Sequence, residues 1–207
     1  SLTTSAVRRV EILRGSQSSI FGSNAVAGVV SITTVASGDE PEGTQQSASL
    51  EGGSYGTFSA AYGMTHREGP LTLSFGLSHR QSDGFSAAEE DAGNTETDPS
   101  DATLVSVGAI YEVSPDWTIG ANAFFERTDS EFDEFVGGAP ADGTPGDETS
   151  STRTNGLRVF AEYDGTAWSH SLSATYLDIE REIASASVAS PFSSPFASSF
   201  DGTTLTA

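Results

Sequence analysis

The residues of this chain best suited to chemistry are its carboxylates. Glu89, Glu90, Asp91, Glu96, Asp98 and Asp101 crowd one polar stretch, and Asp129, Glu131, Asp133 and Glu134 crowd another. Carboxylates held this close repel one another, and a hard divalent cation such as Ca²⁺, which takes several oxygen ligands at once, relieves the repulsion. Asp91, Asp98, Asp101 and Asp133 are the candidate ligands. Their spacing does not match the helix–loop–helix calcium pattern. The alternative is a solvated acidic surface, which is what charge runs usually are.

Other chemistry finds little support. His66, His79 and His170 fall on separate predicted strands, without metal-binding spacing and without a nucleophile or carboxylate in a recognisable motif, so they read as rim or surface residues rather than catalytic ones. The glycine-bearing segment 15–22 is not a phosphate loop, because no lysine follows its second glycine. No enzymatic activity is expected. Nine basic against 29 acidic residues, a net charge of −20, exclude nucleic acid as a partner and argue against docking on an anionic membrane surface. Cysteine is absent, which removes disulfides, iron–sulfur clusters and thiolate metal sites. A hydrophobic content of 36% is low for a soluble globule of 207 residues.

The elements that must position these groups begin with residues 7–34. Residues 10–13 suit a short strand that ends at Arg14-Gly15, where glycine permits a turn. Residues 16–21 suit one helical turn capped by Ser16 or Ser18, and 22–24 break it. Residues 25–32 are small and β-branched, with Gly28 where a neighbouring backbone can approach. Arg9 and Arg14 stand out in so acidic a chain.

After a polar linker, 36–46, the sequence becomes a series of alternating segments, about seven strands in all. Phe58, Ala60, Tyr62 and Met64 oppose Ser59, Ala61, Gly63 and Thr65; Trp117, Ile119, Ala121, Ala123 and Phe125 oppose Thr118, Gly120, Asn122, Phe124 and Glu126. The connections also alternate: 66–70, 114–116 and 164–167 are short, whereas 83–101 and 137–152 are long and acidic, and a third long one begins after Ile183. Short turns on one rim and long loops on the other are the habit of outer-membrane barrels. Tyr62, Tyr111, Trp117, Tyr163 and Trp168 lie on the apolar faces of their strands beside the short turns, as an interfacial girdle would. Spanning needs about 9–11 residues, and the strands starting at Trp117 and Trp168 run on past that into charged sequence. The fold class is all-β, part of a transmembrane antiparallel barrel.

The run VRRVEILRGSQSSIFGSNAVAGVVSITT resembles the end of the plug domain of TonB-dependent outer-membrane receptors, and most closely that of the vitamin B12 receptors. Where that family usually has proline after the Arg-Gly pair and asparagine near the end of the second strand, this chain has Ser16 and Ser31, which leaves the ligand unassigned. The resemblance implies residues 1–35 as the C-terminal part of a luminal plug, 36–46 as a linker and 47–207 as the first strands of a Gram-negative outer-membrane barrel, all within a longer protein. It implies plug–barrel contacts at Arg9, Arg14, Gly15, Gly22 and Gly28, the arginines pairing with carboxylates of the inner wall; Arg14 has the local alternative of capping a carbonyl or facing solvent. It further implies calcium in aspartate-rich loops, a TonB energy-coupling partner, contact with outer-membrane lipid, and a scarce, large ligand, either a cobalamin or an iron–siderophore. A passive channel or adhesive barrel without energy coupling is the alternative function.

Overall fold

The computed structural model describes residues 9–15, 28–33, 40–85, 97–136, 139–141, 148–185 and 196–206. Their regular structure is entirely antiparallel β. Strands β1 (Arg9–Arg14) and β2 (Gly28–Thr33) pair with each other in a sheet of their own. Strands β3 (Gly43–Gly52), β4 (Phe58–Glu68), β5 (Leu71–Ser82), β6 (Ser100–Ser114) and β7 (Trp117–Glu131) follow as a meander. A small hairpin, β8 (Glu134–Val136) with β9 (Ala139–Ala141), precedes β10 (Glu148–Asp164), β11 (Ser169–Ser185) and β12 (Phe196–Thr206). The meander and the last three strands form one eight-stranded sheet, with β3 and β12 at its edges.

The expected seven strands thus become eight, and two boundaries move. Strand β3 begins at Gly43, inside the segment read as linker. Strand β12 occupies sequence read as loop, because its positions level with Glu182, Glu180 and Asp178 of β11 are Ser199, Asp201 and Thr203, so no apolar alternation marks it. The helical turn expected over 16–21 lies outside the described residues.

Turn chemistry sets the connections. Gly69, at φ 55°, with Pro70 closes β4 onto β5; only glycine takes that φ at no steric cost. Pro115-Asp116 closes β6 onto β7 after a bulge between Glu112 and Ser114. On the opposite rim, where the other connections are long, β3 turns tightly into β4. There Tyr55 and Gly56 both have positive φ, 57° and 61°, Thr57 N–H donates to Ser54 O at 3.1 Å, and Asp83 N–H at 2.8 Å and Ser82 Oγ at 3.3 Å both donate to Tyr55 O. These bonds hold a non-glycine residue in a conformation it seldom adopts.

The pleat divides the sheet into two unlike faces. On one lie the large apolar residues, and they are uncovered: Leu77 is 42% exposed, Val107 48%, Ile119 44%, Val159 45% and Leu172 72%. On the other lie mostly small and polar residues, and the only buried hydrophobics among the described residues, Leu104 and Ile110, are on this polar face. Among the described residues the apolar face therefore has no core to join. Over six strands, β4 to β7, β10 and β11, it covers on the order of 700 Å² in projection, whereas soluble monomers rarely expose more than a few hundred.

The apolar face is a band with edges, and the edges do not run square to the strands. Its upper edge passes through Phe58, Leu77, Val105, Phe125, Leu157 and Tyr176. Followed along the pairing, Phe58 is level with Gln81, Asp101, Asp129, Ser151 and Glu182, so by β11 the edge has dropped from Glu182 to Tyr176. Met64, at the bottom of the band on β4, is level with that same Tyr176, at its top on β11. The drop comes in two steps, between β4 and β5 and between β7 and β10. It amounts to about six residues over five strand-to-strand steps, ~20 Å along against ~24 Å across, a slant of about 40°.

Two phenylalanines interrupt the polar face for a local reason. Phe124 is paired with Gly156 and Phe160 with Gly120, and each ring lies where its partner's side chain would be. The glycines make room for rings that cover the bare backbone of the neighbouring strand. Arg158 stacks over the Phe160 ring, 4.7 Å from its centroid.

Candidate functional site

Three places could carry function: the lower rim of the band, the charged crown above it, and the polar face. At the lower rim, Trp117 lies against Tyr163 with ring centroids 5.1 Å apart, and His170 stacks between Tyr163 and Trp168 at 6.3 and 6.4 Å. The expected girdle residues Trp117, Tyr163 and Trp168 are thus one aromatic ladder, and His170 belongs to it. Tyr111 is on β6, one strand from Trp117 and across from Ile119. Tyr62 is not beside the turn that ends β4. It stands one pair above Met64 at the lower edge of the band, because β4 runs on past that edge through His66 to Glu68, and its hydroxyl donates to Gln46 Oε1 at 3.1 Å.

Above the band the same outward positions turn polar. His79, Thr103, Arg127, Arg153 and Glu180 form one row across β5, β6, β7, β10 and β11. His79 is 3.4 Å from Asp101, Arg127 Nε donates to Asp129 Oδ2 at 2.7 Å, and Arg153 Nη1 to Glu180 Oε2 at 3.3 Å. Asp101 and Asp129 are directly paired like charges; Asp129 has the Arg127 guanidinium beside it, and Asp101 has the His79 imidazole. The hydrogen bond from Arg127 holds the Asp129 carboxyl below the usual carboxylate range, against the opposing effect of partial burial. The same bond and attraction raise the Arg127 guanidinium.

Of the candidate calcium ligands, Asp91 lies outside the described residues. Asp98 precedes β6, Asp101 sits on β6 against His79, and Asp133 follows β7. Among the described residues no three His, Asp or Glu side chains come together closely enough to hold a metal ion. The described residues thus assemble no calcium ligand set by themselves.

The residues expected at a plug–barrel contact are placed as follows. Arg9 pairs with Thr33 and Arg14 with Gly28 at the two ends of the β1–β2 hairpin. Arg14 is exposed, and Gly15, at φ 90°, turns the chain out of β1. Gly22 lies outside the described residues.

The polar face holds a residue that sequence reading passed over. Arg67, near the lower end of β4, donates to Glu112 Oε1 at 2.8 Å across two strands and to the Glu40 carbonyl at 3.2 Å. Gln45 reaches back to Pro41 O at 3.2 Å, and Glu40 and Thr72 are both buried. The segment before β3 is therefore fastened at the lower rim on the polar side. Its signal in the sequence was an arginine on a strand face otherwise small and polar.

No family model matches the chain, and no curated protein matches it.

Proposed function

We propose that this chain is the end of the plug and the first strands of the barrel of a TonB-dependent outer-membrane receptor. The observation that carries the membrane part is the slanted, uncovered apolar band. Strands of outer-membrane barrels tilt by about 35–45° from the barrel axis, so a lipid belt square to that axis must cross them at that angle, and the slant of ~40° agrees. Strands of 15 to 17 residues exceed the roughly 9–11 needed to span. The excess lies above the band, with the charged crown, as it would on the extracellular side.

The plug part rests on the resemblance of residues 7–34. It is supported by the Arg67 fastening, which brings the chain into β3 from the polar side, where a lumen would lie. In this reading residues 1–35 stop the lumen, 36–46 lead into the barrel, lipid covers the apolar band, and energy from the TonB complex moves the plug. A scarce ligand, cobalamin or an iron–siderophore, then passes to the periplasm.

The experiment is uptake by a strain lacking the gene, with labelled cobalamin and labelled ferric siderophores, in cells with and without TonB. Uptake of one of these, restored by the gene only when TonB is present, is the expected result. Restored uptake that ignores TonB supports a passive channel and overturns the proposal, as does recovery of the intact protein away from the outer membrane.

A further inference from the structure

Six arginines lie on the eight-stranded sheet, and four of them are engaged. Arg67, Arg127 and Arg153 each hold a carboxylate, and Arg158 stacks on Phe160. Arg80 on β5 and Arg181 on β11 are exposed and have no ion pair among the described residues. In a chain with 29 acidic and nine basic residues, two unpaired guanidiniums call for an explanation.

Their position supplies one. Both are on the polar face, above the level of the apolar band's centre, and the pairing puts them in a single row: Arg80 with Ala102, Ala102 with Thr128, Thr128 with Thr152, Thr152 with Arg181. They stand four strands apart, about 19 Å along the sheet. The wall between them presents the Ala102 methyl and two threonine side chains, with no carboxylate. Glu126, one pair below Thr128, is already engaged, and Glu51, the acidic residue of the row, is two strands beyond Arg80 on the far side. With both side chains leaning inward, the gap between guanidiniums falls to the order of 10 Å.

We propose that Arg80 and Arg181 are the two cationic ends of a ligand-binding wall for an anionic, oxygen-rich metal chelate, with Thr128 and Thr152 donating hydrogen bonds between them. This rests on the receptor reading and deepens it, selecting a negatively charged chelate over a neutral corrinoid. Guanidinium matches carboxylate and similar oxyanions in a two-bond geometry. The net charge of −20 disfavours anions over the surface as a whole, so a row that offers two guanidiniums and no carboxylate between them favours an anionic ligand.

The test uses the intact receptor in detergent, with ferric citrate as the anionic probe and cyanocobalamin as the neutral one. Wild type binds ferric citrate, and R80Q and R181Q each weaken it by about 10-fold or more, as expected for a lost charge-assisted bond; the double variant abolishes it, while R80K and R181K retain part. Unchanged heat-modifiability on gels shows that the variants remain folded. Failure of wild type to bind ferric citrate, or binding that R80Q and R181Q leave unchanged, overturns the inference. Cyanocobalamin bound instead, with TonB-dependent uptake intact, overturns the inference alone. Uptake that ignores TonB overturns the receptor reading.

Discussion

Ala60 offers a sharp test of the slanted band. By strand pairing it shares a row with His79, Thr103, Arg127, Arg153 and Glu180. Were the band square to the strands, an arginine at position 60 would join a charged, wet row and cost nothing. With the slant, Ala60 lies near the centre of the band on β4, between Phe58 and Met64. An arginine facing lipid near the midplane costs ~2–4 kcal/mol, against ~0–1 near the interface. Ala60→Arg should therefore lose ~2–4 kcal/mol, as should Ala121→Arg at mid-band on β7, while Thr103→Arg, in the row of Ala60 but above the edge, should lose no more than ~1 kcal/mol. Alanine is the right starting residue, since its removal leaves no cavity. The assay is urea unfolding of the intact protein from lipid vesicles, followed by fluorescence of Trp117 and Trp168, with the steady-state amount in the outer membrane as a second readout. If Ala60→Arg costs no more than Thr103→Arg, the slant, and with it the tilted-barrel argument, is wrong.

Three further outcomes are expected. Removing the Arg67 side chain should cost ~1–2 kcal/mol, because its bond to Glu112 is only part-buried, and limited proteolysis ahead of β3 should speed up. A double-mutant cycle with Glu112→Gln would show no coupling if the two do not interact. Gly156→Ala should cost ~1–3 kcal/mol by forcing Phe124 from its place over the β10 backbone, and Phe124→Leu in the same chain should recover much of the loss; absence of recovery would sink the ring-over-glycine account. The Arg127–Asp129 bond lowers the folded-state pKa of Asp129, so its contribution is present above the unfolded carboxylate value of ~3.9 and is lost as pH falls through the lower folded value. Acid titration of stability should become shallower in that range for Asp129→Asn, and identical profiles would show that the bond does not matter.

The chain's local pattern carried much of the architecture. Period-two alternation placed β4 to β7, β10 and β11 and told their apolar faces from their polar ones, because a pleated strand sends successive side chains to opposite sides whatever its neighbours do. Glycine and proline marked the short turns for the same local reason. Where that signal was missing, at β12 and at the start of β3, the strand was decided by its partner's backbone, and the sequence read as loop or linker.

Everything that depends on level across strands was hidden, since register is a relation between segments distant in sequence. Carboxylates close together in sequence suggested a metal site, and only the pairing shows that Asp101 stands beside His79 of the neighbouring strand. Phe124 over Gly156, Arg67 across to Glu112, and Arg80 in line with Arg181 each join residues of different strands. So does the slant of the band. Types and alternation fixed which residues face which side; only the tertiary pairing decided which of them stand level, and charge, packing and lipid contact act between level neighbours.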